Sequence, residues 1–522
     1  MIYDFVVIGA GTGGSIVSTR LSENPDCSVL LLEAGPDFNT PEHVPEEIKY
    51  GYGKDKAIWL KAFGTESKYN WGYQAKATSH STEMFVPRGK VVGGSSSINA
   101  QIFLRGLPED FADWQTMGND EWSFETLLSY FKEIESDLDI HDDFHNDSGP
   151  TMVRRFKEKE LNRDQKAFYV ACKEAGFVET HDFNSPDSAG VGAVPLNNVN
   201  GIRWGTLISY LADARDRVNL TIKAKCTVHK LLFEGTTVVG ANVESGGKMF
   251  EVYGKRMVMC AGAIETPHIL MLSGVGHSEE LESVGIETVV NLPGVGKNLR
   301  DHPQVPVLFT TQAGFSQTGL EPRLQIGLRY TATGSDKVND MFILQASYVP
   351  MSGFYLPLDT ENSPGVEMIP SIYLASGAGS VRLRSLDPHA QPHINFNYLQ
   401  DEFDRERLRE AVRLCVRLSM SDCFTDIICE RIKPSNDDLS SDESLDMWMS
   451  KNVRTSHHAS GTCKMGPQVD KSTVVGQDGK VHFLDGLYIA DASIMPDCVR
   501  ANTNATTMVI GEYIADQLAK LS

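Results

Sequence analysis

The chain has 522 residues, 41% hydrophobic and 22% charged, and its 48 basic and 69 acidic side chains give a net charge of −21. That length exceeds one ordinary core, the acidity argues against the basic face that nucleic acid as a partner needs, and no run of about 18 apolar residues exists to form a transmembrane helix. The nine cysteines form no CxxC pair and read as thiols of a cytoplasmic protein, neither a disulfide framework nor a zinc site. A signal peptide is not expected, because the first apolar segment runs straight into glycines with no basic stretch before it.

In chain order, the first element is a strand. Phe5-Val6-Val7-Ile8 is a short, mostly β-branched run, as in a buried parallel strand. It leads into Gly9-Ala10-Gly11-Thr12-Gly13-Gly14, where Gly9, Gly11 and Gly14 satisfy GxGxxG. The first glycine permits a tight turn, the second lets a pyrophosphate approach the backbone, and the third lets helix and strand pack closely, with the diphosphate on the helix N-terminus. A helix is expected to about Ser22, then a strand from Ser28 to Leu32 ending in Glu33. Glu33 lies about 20 residues past the glycines, where a carboxylate accepts ribose hydroxyls and disfavours the 2′-phosphate of NADP. Motif and acid specify an ADP moiety without separating NAD from FAD.

Further along, Lys255 to Cys260 predicts a strand, Ala261-Gly262-Ala263 a tight turn, and Thr266 a cap for a helix with Pro267 at its first position. Ser380 to Ser385 and Ile394 to Tyr398 read as strands, and Arg405 to Leu418 has helical periodicity. Leu487 to Ala490 is a strand with Asp491 at its end, and a last helix is expected from about Asn504 to Lys520. His141 and His145 have the spacing of metal ligands on a helix, but Asn146 to Pro150 is a turn cluster, so no metal is expected there. Asp437, Asp438, Asp442 and Glu443 read as a solvated helix start.

Longer segments carry a family likeness. Arg88-Gly89-Lys90-Val91-Val92-Gly93-Gly94-Ser95-Ser96-Ser97-Ile98-Asn99, followed by Arg105-Gly106 and Asp110-Phe111-Ala112-Asp113-Trp114, and the block from Gly262 to Gly276 resemble the two signature patterns of the glucose–methanol–choline oxidoreductase family. The blocks Pro293 to His302 and Gly486 to Pro496 are also typical of it, in the expected order along the whole chain. The likeness is greatest to choline-dehydrogenase-like and furfuryl- or aryl-alcohol oxidase members. It implies an α/β protein in which a Rossmann-like FAD-binding domain (1–155, 200–305 and 455–522) interleaves with a mixed or antiparallel-sheet substrate domain (156–199 and 306–454). By the family's pattern Arg88, Val92, Gly93, Gly94, Ser96, Asn99, Ala100, Val228, Ala261, Gly262, Asp491, Ala492, Asn502 and Thr503 join Gly9, Gly11, Thr12, Gly13, Gly14, Glu33 and Ala34 in binding FAD. Ile98 stands where some relatives have a histidine bonded to the flavin, which implies non-covalent FAD.

The segment Ser456 to Gly466 resembles the family's H-x-x-G-T-x-x-M-G block in the register that makes His458 catalytic, and spacing puts the second catalytic position at Asn502. Hydride leaves an alcohol carbon only as the hydroxyl proton departs, and a neutral imidazole suits that role; Asn502 orients the same oxygen. The N-terminal end of the last helix favours the charge that develops at flavin N1/C2=O. His302 reads as structural. Tyr348, Met351, Phe354, Tyr355, Tyr373 and His457 are expected to line the substrate pocket, and the Gly-, Pro- and Met-rich stretch from about Gly334 to Pro370 to form a lid. The expected reaction is oxidation of a small or aromatic primary alcohol, with O2 as acceptor and Ala100 as a neighbour of flavin C4a. The alternatives are a dehydrogenase with a quinone-like acceptor and a FAD-containing hydroxynitrile lyase. The oligomeric state is left open.

Overall fold

Phe5, Val6, Val7 and Ile8 are almost wholly inaccessible to solvent, as the middle of a sheet covered on both faces requires. The computed structural model describes residues 2–40, 42–349 and 365–521. Ile2–Ile8 pairs in parallel with Val29–Leu32 on one side and Lys248–Met259 on the other. Leu220–Lys223 extends this sheet beyond Val29–Leu32, and Leu487–Ile489 lies beside the second half of Lys248–Met259, both in parallel. The first half of that long strand continues as an antiparallel meander with Thr237–Ser245 and Thr227–Glu234. The parallel strands therefore discharge their chain turns at one edge: Gly9 after Ile8, Glu33 after Leu32, Cys260-Ala261 after Met259, and Asp491 shortly after Ile489. Ligands of open α/β sheets bind at that edge.

The glycine helix, Thr12–Leu21, can lie close to the sheet only because of its first residues. A Cβ on Gly14 would strike the carbonyl of Gly9, and one on Gly13 the carbonyl of Ala490. The second strand-to-helix turn differs from the sequence expectation. Gly262, at φ 82°, starts the helix early, so it spans Gly262–Leu272 and encloses Pro267. Thr266 does not cap it; its Oγ1 donates to Asp491 Oδ2 at 2.6 Å. Pro267 has no N–H for the carbonyl of Ala263 one turn earlier, and Thr462 Oγ1 donates to that carbonyl at 2.7 Å instead.

A second sheet of eight strands is antiparallel throughout. Its main order is Ile428–Lys433, Val307–Thr311, Gly365–Ile372, Met341–Val349, Leu324–Tyr330 and Gly190–Ala193, and the short strands Pro303–Gln304 and Arg454–Thr455 attach beside Gly365–Ile372. The helices Arg163–Glu174 and Glu402–Leu418 pack on it. Among the described residues of the stretch expected as a lid, most belong to this sheet: Met341–Val349 and Gly365–Ile372 are adjacent strands, and the second is buried along its whole length, while 350–364 lie outside the described residues. Ser380–Arg382 and His393–Asn395 are shorter than expected and join Tyr73–Lys76 and Glu83–Val86 in a third sheet. That sheet links segments assigned above to different domains. Among the described residues no helix is long and apolar enough to cross a membrane.

Candidate active site

One cavity runs along the carboxyl edge of the parallel sheet. Gly9, Gly11, Thr12 and Gly13 form one wall, with Glu33, Ala34 and Val228 beside them. Arg88, Gly94, Asn99 and Ala100 face them, and Ala261, Gly262, Asp491 and Ala492 line the strand ends. His457, His458, Asn502 and Thr503 also line it. The remaining expected FAD residues stand one layer back. Gly14 packs on Gly9. The amides of Val92 and Gly93 donate to Pro36 O (3.0 Å) and Ala10 O (2.7 Å), and Ser96 Oγ donates to Gly93 O (2.6 Å) and meets Thr206 Oγ1 (3.0 Å). Ser95, which sequence reasoning passed over, lines the cavity in place of Ser96.

The walls fit a dinucleotide. Glu33 is buried, which raises its pKa to about 7. Its two oxygens accept from the amides of Ala10 (3.0 Å) and Gly35 (2.8 Å) and retain lone pairs for ribose hydroxyls. Arg88 Nη2 is buried with no hydrogen-bond partner among the described residues, and burial lowers the guanidinium's pKa, so the arginine calls for an anionic or carbonyl oxygen in the cavity. Two helix N-termini, at Thr12 and Thr503, open on the same space, and their first-turn amides have no intrahelical partner. Arg203, far away in sequence, holds the Asn99 loop in place by donating to the carbonyls of Ser97 (2.9 Å) and Asn99 (3.1 Å).

At the other end four side chains form a directional chain. His302 Nε2 lies 2.9 Å from the carbonyl of Val499, which can only accept, so that nitrogen carries the proton. His302 Nδ1 is 2.8 Å from His458 Nδ1. Burial drives the pKa of His302 down to about 3 and that of His458 well below its ordinary value, the latter helped by His302, His457 and Arg88, so both rings are neutral. His302 Nδ1 then accepts, His458 Nδ1 donates, and His458 Nε2 is left unprotonated. That nitrogen lies 2.9 Å from Asn502 Nδ2, while Tyr373 OH, 3.2 Å from Asn502 Oδ1, sets the amide's orientation. Asp301 anchors the group, accepting from the amides of His302 (2.8 Å) and His458 (2.9 Å) and from Tyr398 OH (2.6 Å). His302 thus touches His458 directly, which its reading as merely structural missed; the Asp-His dipeptide alone carried no signal of it.

The expected pocket residues divide. His457, at φ 70°, lines the cavity edge-on to Phe63, and burial among Arg88, Arg454 and Arg323 lowers its pKa to about 3. Tyr373 lies behind the wall, stacked on His302 with centroids 4.3 Å apart. Tyr348 is turned away by a strand irregularity and its own φ of 49°, and packs on Gly319 and Lys56. Met351, Phe354 and Tyr355 lie outside the described residues. A smaller recess sharing Phe63, Asn99, Ala100 and Gln101 with the main cavity brings in Tyr52, Trp59 and Arg323, none of which sequence reasoning named.

Comparison with known proteins gives the family and the fold. Models of the GMC oxidoreductase family match residues 3–304 and 375–511. The chain is 32% identical to an oxygen-dependent choline dehydrogenase of Photobacterium profundum, over 99% of this chain and 93% of that one. It is 34% identical to oxygen-dependent choline dehydrogenase 1 of Chromohalobacter salexigens, over 99% and 94%. Among solved structures it resembles pyridoxine 4-oxidase from Mesorbium loti, with a TM-score of 0.90, 28% identity and 99% of each chain covered. A fungal aryl-alcohol oxidase shares the fold, with a TM-score of 0.84, 22% identity, and coverage of 100% and 99%.

Proposed function

The chain belongs to the GMC oxidoreductase family, FAD-dependent enzymes acting on CH–OH donors, and on that premise we propose that it oxidises a small or aromatic primary alcohol to the aldehyde with O2 as acceptor. FAD, when bound, supplies the two-electron acceptor that takes hydride from the alcohol carbon at N5. The carrying observation is the unprotonated Nε2 of His458, held 2.9 Å from Asn502 Nδ2 inside the cofactor cavity. An alcohol oxygen that takes over these two groups in place of their mutual 2.9 Å contact gives its proton to Nε2 and receives the hydrogen bond of Asn502 Nδ2. Tyr373 and His302 hold both side chains in the required orientation. Ile98 offers no nucleophile, so FAD is held without a covalent bond. O2 as acceptor rests on the relatives named oxygen-dependent. The aromatic preference rests on Phe63, Trp59 and Tyr52 around the recess, and on the neighbour that acts on pyridoxine.

The test is anaerobic stopped-flow of the yellow protein against primary, aryl and furfuryl alcohols, pyridoxine and choline, followed by mixing with air. Bleaching of the flavin by aryl alcohols or pyridoxine, with rapid recolouring in air, is expected. Bleaching by choline alone overturns the substrate class. Slow recolouring overturns O2 in favour of a quinone-like acceptor, and no bleaching by any alcohol sends the reading to a non-redox role such as cyanohydrin cleavage.

A further inference from the structure

We infer that this chain also carries a divalent metal site of the zinc type, formed by His229, Glu244 and His389 on the outer face of the meander. Thr227–Glu234 and Thr237–Ser245 are antiparallel neighbours whose register shifts between Val228, opposite Val243, and Lys230, opposite Asn242. His229 is the extra residue of that bulge. Bulges re-aim side chains, and this one brings His229 Nε2 to 3.0 Å from Glu244 Oε2. His389, in the loop between Ser380–Arg382 and His393–Asn395, brings its Nε2 to 2.9 Å from the same oxygen. The imidazole planes stand at 89° with centroids 5.1 Å apart, and one ligand atom from each residue lies within 4.8 Å of the others.

A carboxylate shared by two hydrogen-bonding histidines explains only part of this. His229 Nε2 is closed off from solvent yet makes no hydrogen bond among the described residues, because its ring direction misses the oxygen 3.0 Å away. Two donor atoms that lie close without aiming at each other are placed as ligands of a third centre. Tetrahedral Zn²⁺ with N and O ligands at about 2.0–2.1 Å holds those ligands about 3.3 Å apart, so each histidine–carboxylate pair needs to open by only a few tenths of an ångström, and the two imidazole nitrogens, within 4.8 Å of each other, settle to the same spacing. Two imidazoles and one carboxylate suit zinc, nickel or copper, whereas magnesium and calcium want oxygen donors. His389 is 57% exposed, which leaves the fourth position to water. The other converging trio, Glu135, Asp137 and His145, is different: Arg105 and Arg155 already sit on its carboxylates. A metal on His229 fastens the His389 loop to the strand whose Val228 lines the FAD cavity. Nothing in this site depends on which alcohol is oxidised.

Untagged, FAD-loaded protein treated with EDTA is titrated with ZnCl2 by calorimetry, and zinc retained after desalting is counted by elemental analysis. One Zn²⁺ per chain is expected. His229→Ala and Glu244→Gln each weaken it by roughly 100-fold or more, since even an outer-shell partner is worth 10–100-fold. His389→Ala, at the most exposed ligand, does the same in a variant whose folding is not in question, and His43→Ala, at an exposed histidine elsewhere, leaves binding unchanged. No zinc isotherm, or one that His389→Ala leaves within about twofold of the parent, overturns the assignment.

Discussion

His458 illustrates how burial sets chemistry at the level of one ring. Its pKa is pushed well below 6.5 by burial beside His302, His457 and Arg88, so Nε2 is free to accept a proton throughout the neutral range. Flavin reduction is therefore expected to be flat in pH from about 6.5 upward and to fall only on the acid side, where Nε2 becomes protonated; an apparent pKa above 7 in the reduction rate would contradict this. His458→Ala should keep FAD and lose about 10²–10⁴ in reduction rate, read in the same stopped-flow experiment. His302→Ala removes both the acceptor of the Nδ1 proton and a group that lowers the pKa of His458. Reduction should slow by roughly 10–100-fold, and the acid limb should move to higher pH. A loss of rate with an unmoved acid limb would reduce His302 to a packing role.

Individual elements are held by contacts that sequence reveals unequally. The glycine helix approaches Ala490 because Gly13 has no Cβ. Gly13→Ala should separate that helix from the loop after Leu487–Ile489, and gel filtration should yield protein with less than half of the parent's flavin and a lower melting temperature; full flavin retention would show that the helix tolerates displacement. The first strand, the glycine turn and the places of Glu33 and His458 on the cavity wall were legible because each is written within a few adjacent residues. Pro267 was misread because the group that makes it tolerable inside a helix, Thr462, is distant in sequence. Met341–Val349 reads as lid material in the sequence because glycine, proline and methionine around it mask a buried strand. Tyr348 was misplaced for a related reason: strand alternation assumes a regular backbone, and its φ of 49° breaks it. The tautomer of His458 depends on a carbonyl at Val499, which no side-chain pattern can report.

On the scale of the whole molecule, buried charge is balanced in clusters. Glu135, Asp137 and Asp182 face Arg105, Arg155 and His145. Burial alone would lower the pKa of His145, but hydrogen bonds to Asp137, Asp182 and Glu135 outweigh it and raise it to about 10. A raised histidine pKa contributes stability that is full below about 6.5 and is lost as pH rises through about 10. The melting temperature of the parent should therefore exceed that of His145→Gln most at pH 6–7, and the gap should narrow toward pH 10. A gap that stays constant would mean that His145 is neutral in the fold. The same molecule also has an order of manufacture. The helix Thr503–Ala519 lies along the glycine helix, with Gly511 against Ile16, and Asn502 and Thr503 complete the cavity begun by Gly9. On the ribosome every other wall of the cradle emerges first, so the nascent chain carries an open dinucleotide fold with the flank of Ile16 bare until this helix arrives. Ribosome-bound chains stalled before Asn502 should be colourless and sought by chaperones, and flavin should enter only after that final stretch has docked.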